Sequence, residues 1–415
     1  MLIDVTIENF RSIKGTQTLS FEAIKDRRLR QDHVVPLDKR LRLLKYSAVV
    51  GANGAGKSTI IRALEMLQAM VIAPETEDNP LSRLLSSSFA YDASWKDSPS
   101  SITVRIIKGK DRDSGSPILY CYTLEADAVR IHREILTTSV GRSTRRLFER
   151  ILVPSEGEGD SGSYTYRWGK RYVGKKKRFG KKVPPNHLFL GDAAQAGSES
   201  LQPVYDWFHD EMIVMPIGLS PMSERYVIDI LKSNPDIFSY VSTFLHSMDF
   251  VDIQDVRISE KEHRSDRLVY IHGVNHSQYA SYFSQEPLGT RRLTMIAVVF
   301  WQAMHQTKCL LADDFGILLH DKVIEELYRK FTVETCGNES QLLTTGVGLT
   351  PLRSGLLRHD EIWFTSRLAD GSTVYYCLAD YIIRKHDNVG EMYLHGSFGA
   401  IPILADCMQN QSEEK

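Results

Sequence analysis

Residues 48–59 read Ala-Val-Val-Gly-Ala-Asn-Gly-Ala-Gly-Lys-Ser-Thr. A short apolar strand runs straight into Gly51-x-x-x-x-Gly56-Lys57-Ser58, and the stretch that opens at Thr59, Thr-Ile-Ile-Arg-Ala-Leu-Glu-Met-Leu, has helical spacing. Glycine at Gly51, Gly54 and Gly56 lets successive backbone N–H groups curl around a phosphate chain where a side chain would block the approach. Ala52, Asn53 and Ala55 complete the curl. Lys57 is placed to reach the β- and γ-phosphates, and the Ser58 hydroxyl to ligand Mg²⁺. The positive end of the following helix faces the same anion. The competing reading is a chance glycine turn between two elements; a strand before and a helix after is the context that separates the two. The pattern predicts a nucleoside triphosphate site.

The bulk numbers set the frame. A chain of 415 residues buries a large core and is expected to split into two or three lobes. Lys+Arg 51 against Asp+Glu 52 leaves a formal charge of −1, so any nucleic-acid partner has to be met by a local patch. The five cysteines are odd in number and widely spaced, with no Cys-x-x-Cys, which argues against a disulfide framework or a zinc site and fits a reducing cytosol. Acids near the N-terminus oppose a signal peptide. The apolar run at residues 296–303 falls short of the ~20 residues a membrane span needs. The expectation is a cytoplasmic protein with no membrane contact.

Outward from the loop, residues 2–10 alternate apolar and polar like a half-buried strand. A second strand is expected at 18–23 and an exposed charged excursion over 25–42. Residues 102–108 and 119–126 read as a hairpin, extended by 129–137. Residues 142–182 are rich in Gly, Ser, Arg and Lys with short β-like runs such as 164–168, and 186–247 read mainly helical. After about residue 285 the pattern returns to α/β: helix 291–305, strand 309–313, helix 321–331, and strands 341–345 and 361–365. The fold class is therefore α/β, a P-loop head whose nucleotide fold is discontinuous and interrupted by an inserted β/helical middle region. The boundaries expected are 1–70 and 285–415 for the two halves of the head, 71–185 for a β-rich lobe, and 186–284 for a mainly helical insertion.

Leu310-Leu-Ala-Asp-Asp314 is an apolar strand ending in two acids, the form of a Walker B element. Asp313 is the candidate Mg²⁺ carboxylate and Asp314 the candidate base that orients the attacking water; Asp314 and Lys57 are the candidate catalytic residues. Ser284-Gln-Glu-Pro-Leu-Gly-Thr290 opens the helix before it, with Pro287 suited to a first helical turn. A plain helix start is one reading. The other is a second anion site, with backbone N–H groups of Leu288, Gly289 and Thr290 aimed at a γ-phosphate.

With Ile7-Glu-Asn-Phe-Arg-Ser-Ile13, Glu286-x-x-Gly289-Thr290-Arg-Arg, Leu318-Leu-His320 and Leu343-Thr-Thr345 added, the chain resembles the ABC-type head ATPases related to RecF and SMC proteins. Its end carries Arg358-x-Asp360-Glu-Ile-Trp-Phe364, Arg384-Lys385 and Tyr393-Leu-x-Gly-x-x-Gly399-Ala-Ile-Pro402. In these it is similar to compact bacterial AAA family ATPases encoded beside a nuclease in two-gene phage-defence systems, PARIS-type systems among them. The resemblance covers roughly residues 1–70 and 285–405. It implies ATP and Mg²⁺ as cofactors, and Arg11 and Phe10 at the border of the nucleotide, although core is the common fate of a phenylalanine. It also implies a head-to-tail homodimer in which ATP is sandwiched and Gly289 and Thr290 act in trans. His320 near the dimer seam and a satisfied surface histidine are equal alternatives.

Three positions depart from that pattern. Pro287 replaces the signature serine, Asp314 the Walker B glutamate, and Gly346 the histidine expected after the paired threonines. No glutamine lies between Met70 and Arg130, leaving Asp92 or Asp97 for the Q-loop role. Retracting a water-positioning group by roughly 1 Å costs about 10²-fold in rate, and losing the histidine removes a contact to the transition state. ATP binding with slow or impaired hydrolysis is the expectation. The sequence thus favours an ATP-gated sensor and scaffold working with a nuclease-like effector encoded nearby. The alternative is a RecF/SMC-like DNA-binding ATPase in repair. Lys170-Arg171, Lys175-Lys-Lys-Arg178 and Lys181-Lys182, interleaved with Trp168, Tyr172 and Phe179, read either as a DNA groove with rings for stacking or as a solvated hairpin.

Overall fold

Strand β5 (Tyr46–Gly51), which delivers the phosphate loop, is buried along its whole length. The computed structural model describes residues 1–73, 81–82, 87–153, 163–176, 183–215, 221–248, 250–261, 264–274, 277–353, 355–384 and 386–402. In it β5 lies between two parallel strands, β16 (Gln341–Gly346) and β17 (Ile362–Arg367). Strand β15 (Cys309–Ala312) runs parallel to β16, β11 (Met212–Val214) parallel to β15, and β18 (Thr373–Cys377) closes the other edge antiparallel to β17. The six-stranded order is β11-β15-β16-β5-β17-β18. One strand separates the loop strand from the acidic strand, and both ends of the chain build the sheet. The α/β class with a discontinuous head is borne out.

Side chains of β5 alternate between two cores, Val49 to one face and Tyr46, Ala48 and Val50 to the other. Helix α1 (Thr59–Val71) covers the Val49 face with Ile60, Leu64, Leu67 and Val71, spaced as one helical stripe. Its other side packs on a seven-stranded antiparallel sheet in which β1 (Leu2–Glu8) and β2 (Gln17–Ser20) join β6 (Ser100–Lys110), β7 (Pro117–Ala126), β8 (Ile131–Val140), β9 (Ser143–Val153) and β10 (Ser163–Trp168). The strands of residues 100–168 are therefore no lobe apart from the N-terminus: Ile7 pairs with Ile102 and Val5 with Val104. A strand as buried as β1 cannot leave one edge of its backbone unpaired.

On the other face lie α2 (Pro221–Ser233), α3 (Asp236–Ser247), α4 (Leu288–His305) and α5 (Asp321–Glu334). Every residue of α4 from Leu293 to Phe300 is buried, so this helix is enclosed all round rather than on one face. What encloses it was not expected. Three strands form an antiparallel meander, β12 (Ile253–Lys261), β13 (Arg264–Val274) and β14 (Ser277–Tyr282), which corrects the mainly helical expectation there. Leu268 and Tyr270 point inward with period 2 and join the core of α3 and α4. Among the described residues no helix is long and apolar enough to cross a membrane.

Candidate functional site

The phosphate loop is shaped by what lies beneath it. A Cβ on Gly51 would collide with Thr365 of β17, and a Cβ on Gly56, which has φ 94°, with Thr373 of β18 and Ser12. Gly54, at φ 75°, has open space where its Cβ would stand, so nothing covers the loop on that side. Thr373 donates to the Ala55 carbonyl at 2.9 Å and Tyr375 to the Gly56 carbonyl at 2.6 Å. The Ala52 N–H donates to the carbonyl of Ala400 at 3.0 Å. These supports escaped the sequence reading. The Tyr393–Pro402 motif, quoted there for resemblance alone, is one of them. Turns at Gly396 and Gly399, both with positive φ, and stacking of Phe398 and Tyr393 on Phe364 bring Ala400 to the loop.

Lys57 is buried and its Nζ donates to the Ala52 carbonyl at 2.8 Å, curled over the loop it serves. Burial lowers its pKa, opposed by Asp314 and then Asp313, so both acids are close enough to act on it. Ser58 precedes α1 and its hydroxyl makes no capping bond. Asn53 and Gly54 are exposed at the loop's tip. Thr59 Oγ1 lies 3.1 Å from Ser12 Oγ, which sets the turn of residues 9–14 beside the loop. Arg11 occupies that turn, exposed and left-handed at φ 53°. Its neighbour Phe10 is 1% exposed and belongs to the core.

The two acids are tied to β16 by one hydroxyl. Thr345 Oγ1 donates to Asp313 Oδ1 at 2.6 Å and accepts from the Asp314 N–H at 3.0 Å. Arg62 on α1 stands 3.7 Å from the other oxygen of Asp313. Asp314 is left-handed at φ 47°. Arg292 of α4, fully buried, extends its guanidinium to the carbonyls of Asp313 and Asp314 at 3.3 and 3.5 Å. Burial pushes its pKa down to about 10, against the pull of the two acids. Thr345→Val is expected to strip a donor from Asp313 and an acceptor from Asp314. The cost should be about 1–3 kcal/mol, read as a lower melting temperature without nucleotide.

Other expected residues fall elsewhere. Pro287 is the N-cap of α4, one step before its first turn. Thr290 is fully buried with its hydroxyl unpartnered, so Pro287 and Leu288, with the half-buried Gly289, present the helix start to solvent. This corrects Thr290 as a surface contact in trans: its position on α4 turns it inward with the core. His320 caps α5, accepting the Lys322 N–H at 3.1 Å through Nδ1, while its ring stays exposed. Asp92 caps the short helix Ala93–Lys96 and pairs with Lys14 at 3.0 Å. Those bonds, first from Ser94 and then from Lys14, hold its pKa down at about 2. Of the basic stretch, Lys170, Arg171, Lys175 and Lys176 are exposed, while residues 177–182 lie outside the described residues. Trp168 and Tyr172 pack on Phe189, so these two rings are engaged in the core and not offered for base stacking. Lys385 also lies outside the described residues.

The family described as "AAA domain, putative AbiEii toxin, Type IV TA system" matches residues 47–345, a span that holds both halves of this site. The chain belongs to that family. No curated protein matches it. Similar solved structures include an SMC head bound to the C-winged helix domain of ScpA, at 11% identity and TM-score 0.47, covering 91% of this chain and 97% of that one. Another is the SMC head domain from Thermotoga maritima, at 11% identity and TM-score 0.41, covering 91% and 98%.

For an AAA-family ATPase the ligand to fit is a nucleoside triphosphate with Mg²⁺, and the residues fit it. The loop has an open face at Gly54, a lysine folded on its rim, and a hydroxyl free of capping duty. Mg²⁺ is usually held through one or two protein oxygens together with phosphates and water. Ser58 and Asp313 would be that pair, and the ion would supply charge neutralisation between the β- and γ-phosphates.

Proposed function

We propose that this chain is an ATP-gated sensor and scaffold of an abortive-infection system, which holds triphosphate and controls a separately encoded effector. The observation that carries it is the asymmetry of the site. Everything that grips is built: the supported loop, Lys57, Ser58, and an Asp313 fixed by Thr345. What cleaves is short. Asp314 stands where a glutamate would orient water, and Gly346 leaves open space within 4 Å of where a side chain would start. The family's description as a toxin–antitoxin component supports the setting.

Restoring the missing groups tests this. Asp314→Glu with Gly346→His is expected to raise turnover by about 10²-fold from a wild-type rate below about 1 s⁻¹. Gly346 has room for the change and no left-handed backbone to strain. Wild-type turnover above that rate, or no gain in the double variant, would overturn the reading. The same proposal includes a head-to-tail dimer, for which the exposed Leu288 and the half-buried Gly289 at the start of α4 are the available contact. Light scattering should then show dimers with ATP and Mg²⁺ and monomers without; a mass that ignores nucleotide would contradict it.

A further inference from the structure

A cavity of about 950 Å³ lies away from the phosphate loop. Its floor is apolar: Leu29 from the excursion after β2, Leu352 and Leu357 from the loop after β16, Ile362 at the start of β17, and Leu378. Strands β5 and β17 measure its separation from the nucleotide site. Ile362 pairs with Ala48, whereas Thr365 pairs with Gly51 at the loop. Three residues of strand are about 10 Å, so the cavity sits at the other end of these strands and is no extension of the loop.

Its charge is one-sided. Among the described residues, Arg28, Arg353 and Arg384 line it against one carboxylate, Asp387. Two of the arginines are held. Arg28 pairs with Asp26 at 2.6 Å and meets His359 Nε2 at 2.8 Å, while Arg353 pairs with Asp321 and Glu325 at 3.1 Å each. Asp387 is spent on a turn, accepting the backbone N–H of Arg384 at 2.7 Å. The guanidinium of Arg384 has no ion-pair or hydrogen-bond partner among the described residues. An unpaired guanidinium over an apolar floor, in a volume within the usual range for small-molecule pockets, defines one kind of occupant.

We propose that this cavity is a second binding site, for a small organic anion whose carboxylate or phosphate pairs with Arg384 and whose apolar body lies on the leucine floor. Neither half suffices alone: the floor gives no orientation, and an exposed guanidinium pairing with a bare ion in water contributes little. The site requires no nucleotide, so its test is independent of the ATP reading.

Titration calorimetry on the full chain without nucleotide decides it, with octanoate, octyl phosphate and octanol as probes. One or both anions are expected to saturate a single site per chain, and the tighter of the two identifies the head group. Octanol should bind at least about tenfold more weakly, as should both anions to Arg384→Glu, since a hydrogen bond to a charged group is worth about one decade or more. Arg384 is exposed, so the variant should melt as the wild type does. Lys57→Ala should bind the probes unchanged. No saturable binding, octanol as tight as the anions, or full affinity in Arg384→Glu would overturn the proposal.

Discussion

Lys57→Ala is expected to weaken ATP·Mg²⁺ binding by about 10- to 100-fold while leaving the protein folded. The first half follows from charge: a hydrogen bond to an ionised group contributes about 1.5–3 kcal/mol, and each 1.4 kcal/mol is about a factor of ten in affinity. The second half follows from what Lys57 touches. Its ammonium is buried and, among the described residues, bonded only to the Ala52 carbonyl, and burial already works against its charge. Removing it takes away a desolvated cation and one loop contact, and among the described residues no carboxylate is left stranded within bonding distance. The loop keeps its supports from Thr373, Tyr375 and Ala400. Calorimetric titration with a parallel thermal melt separates the two effects. Equal ATP affinity in the variant would mean that the loop does not grip phosphate through this residue.

The largest loss of stability is expected at Arg358. Its side chain is fully buried and bidentate on Asp360, at 2.9 and 2.8 Å, and its remaining nitrogen donates to the carbonyls of Asp26 and Arg28. Asp360 in turn accepts the Ile24 N–H at 2.9 Å, and the buried Glu361 takes the Arg358 N–H and meets His33 at 2.9 Å. One ionic knot thus fastens the excursion of residues 24–33 to the start of β17. Arg358→Met should cost about 3–5 kcal/mol because it leaves the Asp360 charge buried and unpaired. Removing both partners, Arg358→Met with Asp360→Leu, should recover part of that loss. Denaturant melts of the two variants check it. A single variant as stable as the wild type, or a double variant worse than the single by the full cost again, would refute the pairing.

That knot also shows where sequence reading stops. The Arg358–Phe364 motif was visible but had no chemistry attached, and the excursion beside it looked merely exposed. Only the fold reveals that His33 and Val34 are buried and that the motif is a clamp. The loop, the helix after it and the acidic strand were legible because each depends on local spacing. Glycines must sit where the backbone curls, and an apolar strand must end where its acids meet solvent. The supports from Ser12, Arg292, Thr373 and Ala400 were not legible, since they arise from elements far apart in the chain that meet only when the sheet closes. The meander of β12, β13 and β14 was missed for another reason. Its alternation at Leu268, Tyr270 and His272 is present, but helical spacing just before it drew the whole stretch into one class.

Central to all of this is a triphosphate retained against the Lys57 loop by machinery that cleaves it slowly. The direct measurement is to incubate the protein with ATP and Mg²⁺, remove free nucleotide rapidly, and identify what stays bound by chromatography. Intact ATP retained by the wild type and lost in Lys57→Ala is the expected result. Nothing retained by either protein, or ADP from the wild type at a turnover above about 1 s⁻¹, would contradict it.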